Sequence, residues 1–344
     1  MMASLRFAAI GLDHRHIYGM SQGMLASGAE FAGWWTEGEP ETLPGFVKRF
    51  PDTPRFESRQ QLLEDDSIAL ILIAAPPHER AALAMEAMSH GKDVMLDKPG
   101  CITQDELKKI KQVVTDTARI WSVNFSERFE VPSVTRAYEL VQQGQIGQLV
   151  QTIGLGPHRL NLPSRPDWFF DPQLYGGILG DIGTHQIDQF LHFAGAQTAT
   201  VVHSAVGNFA NAATPLFQDF GEINLTAGNV QAYIRLDWYT ADALPNWGDG
   251  RLFLLGTEGS IELRKYVDVS AREGTDHLYL VNKTRCEHID CKDAPLPYFD
   301  NLSFDVLNRT ETACSQQHTF TVTELALHAQ ATAQKRGILA VDDN

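Results

Sequence analysis

The sequence predicts an α/β doubly wound parallel sheet, followed by an α+β domain with a large, mainly antiparallel open sheet. Three observations predict it. Residues 5–10 form an apolar run that stops at Gly11, as a strand buried on both faces does. Helical spacing of Ile17, Met20, Met24 and Leu25 follows, closed by Gly28, and a second apolar run at 30–35 completes a strand–helix–strand unit. Beyond residue 124 this rhythm gives way to longer runs that alternate apolar and polar residues, the pattern of a sheet covered on one face.

In order, the first half reads as follows. Short helical pieces at 46–50 and 60–64 flank a short strand at 55–57. Residues 68–75 (IALILIAA) make a buried strand that Pro76 and Pro77 stop. A helix over 78–90 ends at Gly91, and 93–96 is a strand running into Asp97, Lys98 and Pro99. Thr103 is the expected N-cap of a helix at 105–117, and 120–124 is the last strand of this half. The second half opens with a helix at 133–143. Strands are expected at 150–155, 201–208, 218–225, 230–239, 251–254 and 260–263, and a closing helix at 323–334 capped by Thr321. The domains are therefore 1–123 and 124–344, with the final helix free to pack back on the first. No internal repeat or low-complexity segment interrupts them.

The 344 residues suit two domains, and 43% hydrophobic with 21% charged residues is a globular composition. A net charge of -15 repels nucleic-acid phosphates and anionic lipid, which argues against both as partners. The apolar N-terminal run is too short for a signal peptide and no run is long enough to span a bilayer, so the expected setting is cytoplasmic. Cys101, Cys286, Cys291 and Cys314 lack zinc-clip spacing. The stretch from Cys286 to Cys291, with His288 and Asp290, is expected to be a surface turn, and no metal is expected.

A dinucleotide site needs a tight turn after the first strand, usually G-x-G-x-x-G. Here it reads Gly11-Leu12-Asp13-His14-Arg15-His16. Gly11 is in place, whereas Asp13 and His16 stand where the second and third glycines belong. Asp13 puts a carboxylate where phosphates are expected. The loop either packs without a ligand or cradles a cofactor with altered geometry, and His14 or His16 reaches toward the mouth of an active site. Near the end of the second strand, Thr36 tolerates a 2′-phosphate and Glu37 can hold a ribose hydroxyl. With no basic neighbour in sequence, this favours NAD over NADP.

Asp97-Lys98-Pro99 resembles the Glu-Lys-Pro triplet of the Gfo/Idh/MocA oxidoreductases, with Asp for Glu. Ala74-Ala75-Pro76-Pro77 resembles that family's strand-end segment against the cofactor, with Arg80 in place of a histidine and His78 nearby. Gly176-Gly177-Ile178-Leu179-Gly180-Asp181-Ile182-Gly183-Thr184-His185-Gln186-Ile187-Asp188 is similar to its G-G-x-x-x-D-x-G-x-H-x-x-D segment. Residues 124–129 (NFSERF), Ile146-Gly147 and 254–263 (LLGTEGSIEL) follow in the family's order over almost the whole chain.

The resemblance implies a Rossmann domain that binds NAD or NADP through Gly11, Leu12, Asp13, His14, His16, Thr36, Glu37, Ala75, Pro76, His78, Asp97 and Lys98. It implies a reactive centre of Lys98, Asp181 and His185. The chemistry agrees, because oxidising a secondary alcohol needs a base for the hydroxyl proton and a cation for the developing alkoxide. On a continuous helix Asp181 and His185, four apart, share a face. Asn124, Arg128, His158 and Trp168 are the further candidates for touching substrate, and Asp188 reads as a helix-face group. The implied substrate is a sugar, cyclitol or related polyol, and the implied assembly a homodimer or homotetramer paired through a sheet containing the apolar run at 230–239. Two other readings stay open: a glycoside hydrolase that retains its NAD, and a non-catalytic ligand- or cofactor-binding protein.

Overall fold

In the computed structural model, residues 4–343 apart from Ala271 are described, and the chain divides into two compact units. The first comprises residues 1–124 and 297–323, the second 125–296 and 324–344. The sequence reading gave all of 124–344 to the second domain. Residues 297–323 instead return to the first unit, because a buried Asp93 accepts two hydrogen bonds from Arg309 (2.6 and 3.0 Å) and Phe299 fills the space left by Gly23.

The first unit is built on β1 (Arg6–Ile10), β2 (Glu30–Trp35), β3 (Leu70–Ile73), β4 (Asp93–Asp97) and β5 (Trp121–Asn124). All four pairings are parallel, in the order β2-β1-β3-β4-β5. Every residue of β3 and β4 is buried, as the apolar runs require of strands covered on both faces. The strand expected at 55–57 shrinks to one bridge, Trp34 to Arg55. Pro54 on one side and the helix start at Ser58 on the other leave no room for a ladder. The helix Gln104–Thr117 opens with a full capping box, the Thr103 side chain accepting from Glu106 N–H and the Glu106 carboxylate from Thr103 N–H. Gly11, Ala75 and Lys98 all follow carboxyl ends of adjacent strands, the edge where open α/β sheets bind ligands.

The second unit carries β6 (Leu149–Pro157), β7 (Thr200–Asn208), β8 (Phe220–Ala227), β9 (Val230–Asp237), β10 (Arg251–Gly256), β11 (Gly259–Arg264), β12 (His277–Asn282), β13 (Cys286–Ile289) and β14 (Gln334–Gly337). They form one sheet in the order β13-β12-β11-β10-β6-β9-β8-β7-β14, antiparallel except at β6–β9 and β7–β14. On one face, Val134, Ala137 and Leu140 of the helix Pro132–Gln142 pack on Leu254, Ile261, Leu263 and Leu278. Gly154 and Gly156 let the chain at Ile182 and Gln186 approach β6 closely. Val150, Val202, Leu255 and Val281 are exposed.

Two expectations are corrected here. The stretch after Cys286 is not a turn but β13, paired with β12 from Cys286 to Ile289, and all four cysteines are free thiols. The closing helix runs Gln316–Thr332, starting earlier than expected because Ser315, not Thr321, accepts from the helix's third residue, His318. No helix among the described residues is long and apolar enough to cross a membrane.

Candidate active site

In the first unit the chain leaves β1 through Gly11 at φ +71°, a conformation that favours glycine, and a Cβ there would stand 2.5 Å from Ala75 Cβ. The turn is pinned on both sides. Leu12 N–H donates to Thr36 Oγ1 (3.2 Å), Thr42 Oγ1 donates to the Leu12 carbonyl, and His14 N–H donates to the Ala74 carbonyl (3.0 Å). Beside it lies a cavity of about 180 Å³ lined by Gly11, Asp13, Glu37, Ala75 and Pro76, with Trp35, Arg59 and Glu79 among the other walls. Leu12 and Thr36 are buried behind this lining, and His78 is not part of it.

Burial, then Glu79, pushes the Asp13 carboxyl up to about 6. A carboxylate is therefore costly here even before an anion arrives. The premise for NAD, no basic residue nearby, does not hold in space. Arg59 lines the same cavity as Glu37, and Arg55 Nη2 donates to the Thr36 carbonyl (3.3 Å). These arginines are 19 or more positions from Thr36, so adjacency in sequence missed them.

The three residues at the end of β4 are held by one buried side chain. Arg80 donates to the Ala75 carbonyl (2.7 Å), to the Asp97 carbonyl (2.9 Å), to the carbonyls of Lys98 and Pro99, and to Asp97 Oδ2 (2.9 Å). Lys98, 5% exposed, is placed by this clamp, and the Lys98–Pro99 peptide is cis. The fully buried Asp97 also meets His14 Nδ1 at 2.9 Å and His16 Nδ1 at 2.7 Å. Burial alone would raise its carboxyl, but His14, Arg80 and His16 hold it well below the usual range. Asn124 lies across the ladder from Asp97 on β5.

In the second unit Asp181 ends the short helix Gly177–Asp181 and His185 lies in the first turn of Gly183–Ala194, both buried. The helix expected to carry both is interrupted at Ile182, where the run of glycines lowers helical persistence. Near His185 lies a group the sequence reading missed. Glu127, Lys265 and Gln186 are buried together, with Lys265 Nζ 2.6 Å and Gln186 Nε2 2.8 Å from Glu127 Oε2. Burial would raise Glu127, yet Lys265, His185 and His158 together hold it down at about 2.

The other candidates fall in different places. Arg128 grips the buried Asp188 with two 2.7 Å hydrogen bonds, so its guanidinium anchors a helix. The His158 ring lies tilted against Trp247 at 4.6 Å and edge-on to Trp238 at 5.3 Å. Trp168 is half-buried and touches Phe169 edge-on, while the closed aromatic cluster is Phe169, Tyr175, Phe217 and Trp238. A larger cavity of about 850 Å³ in this unit is lined by none of the residues singled out from the sequence.

The first unit fits a nicotinamide dinucleotide at its ribose-binding side, where a tight glycine turn, a cleft and the Glu37 carboxylate coincide, and Asp13 opposes the fit at the phosphates.

Comparison with known proteins matches residues 12–125 to a family profile described as an oxidoreductase family with an NAD-binding Rossmann fold. Residues 134–262 match the GFO/IDH/MocA C-terminal domain. A crystal structure of an oxidoreductase candidate from Erwinia carotovora atroseptica is 44% identical, with a TM-score of 0.93 over 96% of this chain and 99% of that one. Levoglucosan dehydrogenase from Pseudarthrobacter phenanthrenivorans is 30% identical over 166 residues, 47% of this chain and 42% of that protein. The scyllo-inositol 2-dehydrogenase (NAD(+)) of Bacillus subtilis is 26% identical over 211 residues, 60% of this chain and 58% of its own length. The alignments thus span roughly two fifths to three fifths of these two curated relatives.

Proposed function

Because the chain belongs to the Gfo/Idh/MocA oxidoreductase family, we propose that it catalyses NAD(P)-dependent oxidation or reduction of a CH–OH group in a sugar, cyclitol or related polyol. The observation that carries this reading is the clamp that fixes Lys98 at the carboxyl edge of the parallel sheet, beside the glycine turn and its cleft. A nicotinamide dinucleotide held by Gly11, Glu37, Ala75 and Pro76 would supply the hydride chemistry. Lys98 stabilises the negative charge that grows on the substrate oxygen, His185 takes up or gives back the hydroxyl proton, and Asp181 orients that exchange. Asn124, His158 and Trp168 contribute contacts to the substrate, and Arg128 steadies the helix of His185 through Asp188. Glu37 favours NAD by accepting from ribose hydroxyls, against Arg55 and Arg59, which favour a 2′-phosphate. A homodimer or homotetramer in the cytoplasm completes the reading.

Calorimetry with NAD+ and NADP+ tests the first half, and a screen of sugars and inositols followed by NADH absorbance tests the second. Absence of binding to either dinucleotide would sink the enzyme reading in favour of a binding protein. Consumption of a glycoside without net NADH would replace dehydrogenation by NAD-assisted hydrolysis.

A further inference from the structure

The two histidines of the first turn are the least expected residues in it. A phosphate-binding turn presents N–H donors and small side chains. This one presents two imidazoles whose rings meet edge-on at 4.4 Å and whose Nδ1 atoms both approach a single buried carboxylate. An ionised carboxylate only accepts hydrogen bonds. The 2.9 Å approach of His14 Nδ1 to this carboxylate favours hydrogen on that nitrogen over the longer 3.4 Å contact in which His16 N–H would donate to it, and His16 Nδ1 donates at 2.7 Å. Arg80 locks the carboxylate from the other side and fixes the orientation of the pair. Burial, with the neighbouring His16 and Lys98, outweighs Asp97 and keeps His14 uncharged at neutral pH.

An uncharged imidazole with hydrogen on Nδ1 offers a lone pair at Nε2, on the ring edge opposite Asp97. Such a group accepts from hydroxyl or amide donors and repels an anion. His14 keeps part of its side chain, 28%, in solvent. We propose that His14, oriented by Asp97 and buttressed by His16, is a hydroxyl-recognition residue of the cofactor turn, accepting a hydrogen bond from a polyhydroxyl ligand where this type of turn ordinarily meets phosphate. The ligand hydroxyl belongs either to the nicotinamide ribose or to the polyol substrate. The inference rests on the dehydrogenase reading for its ligands.

The test uses the full-length protein and needs no turnover. Two-dimensional ¹⁵N NMR of the histidine side chains reads the tautomer directly. Hydrogen on Nδ1 of His14 is expected, and hydrogen on Nε2 overturns the proposal. Affinities of wild type and His14→Phe are then measured for NAD+ and for its analogue lacking the nicotinamide-ribose hydroxyls. With the ribose as ligand, H14F weakens NAD+ about three- to tenfold, as loss of one neutral hydrogen bond does, and leaves the analogue unchanged. His14→Gln, whose carbonyl accepts, restores most of the loss. With the substrate as ligand, dinucleotide binding is unchanged and H14F weakens myo-inositol or sorbitol binding to the NAD+-loaded protein by a similar factor. Coupling in neither arm overturns the inference while leaving the dehydrogenase reading intact, and no dinucleotide binding by wild type removes both. One tightly bound zinc ion per chain, lost in Asp97→Asn, would make the histidines ligands of a metal instead and also overturn it. If H14F does not fold, the tautomer and the wild-type affinity for the analogue decide.

Discussion

Arg80 and Asp97 form a fully buried ion pair, 2.9 Å from Nη2 to Oδ2, and the same guanidinium donates to carbonyls on both sides of the cleft edge. One side chain thus ties the end of β3 to the end of β4 and sets the direction in which Lys98 leaves the sheet.

Replacing Arg80 with Leu removes that tie and leaves Asp97 with only its histidines. The expected cost is about 3–5 kcal/mol, as for breaking one side of a buried pair, measured by urea unfolding. A loss below about 1 kcal/mol would show that the imidazoles compensate the carboxylate on their own.

Lys98→Met keeps the bulk of the side chain and removes the charge. Turnover is expected to fall at least about a hundredfold, the scale of deleting one electrostatic stabiliser, with Tm little changed. A variant working at near wild-type rate takes Lys98 out of the chemistry.

Asp13 makes dinucleotide affinity depend on pH. Its carboxyl titrates at about 6, raised by burial and by Glu79. Below that pH the group is neutral and tolerates a diphosphate, and above it the ionised form opposes one. Kd for NAD+ should therefore fall as pH drops from 7.5 to 5.5. Asp13→Gly should bind more tightly at pH 7.5 and lose most of this dependence. Isothermal titration at the two pH values reads both, and equal or weaker binding in the variant would mean the carboxylate is used rather than endured.

Glu127 contributes stability with the opposite sense. Its folded value, about 2, lies below the ordinary carboxyl value, so the contribution is complete above about pH 4.5 and disappears as pH falls toward 2. Glu127→Gln strands Lys265 and should cost about 3–5 kcal/mol at pH 7. Adding Lys265→Met should recover much of it, and the double variant should unfold less steeply in acid. Circular dichroism against pH and urea follows both, and a single variant as stable as wild type would refute the pairing.

The parallel sheet was readable because β3 and β4 are uninterrupted apolar runs whose burial on both faces leaves no other use for them. Gly11 was equally plain, since only a turn at positive φ demands that residue there. What escaped was everything that depends on distant partners. His16 and Asp97 are 81 positions apart, and Glu127 and Lys265 are 138 apart. Periodicity carries no information about such meetings. Residues 286–289 read as a turn because two exposed and two half-buried residues at a sheet edge have no apolar face to betray them. Asp181 and His185 were singled out by motif alone, and the break at Ile182 was hidden by glycines that permit both a helix and its interruption.

The strand β14 lies alongside β7 through only four residues, Gln334 to Gly337, yet it covers the outer backbone of Ala205 through Asn208. Trimming the chain after residue 333, a common way to tidy a protein for crystallisation or fusion, would bare a row of amides next to the exposed Val202 and Phe209. Such a shortened protein should self-associate edge to edge.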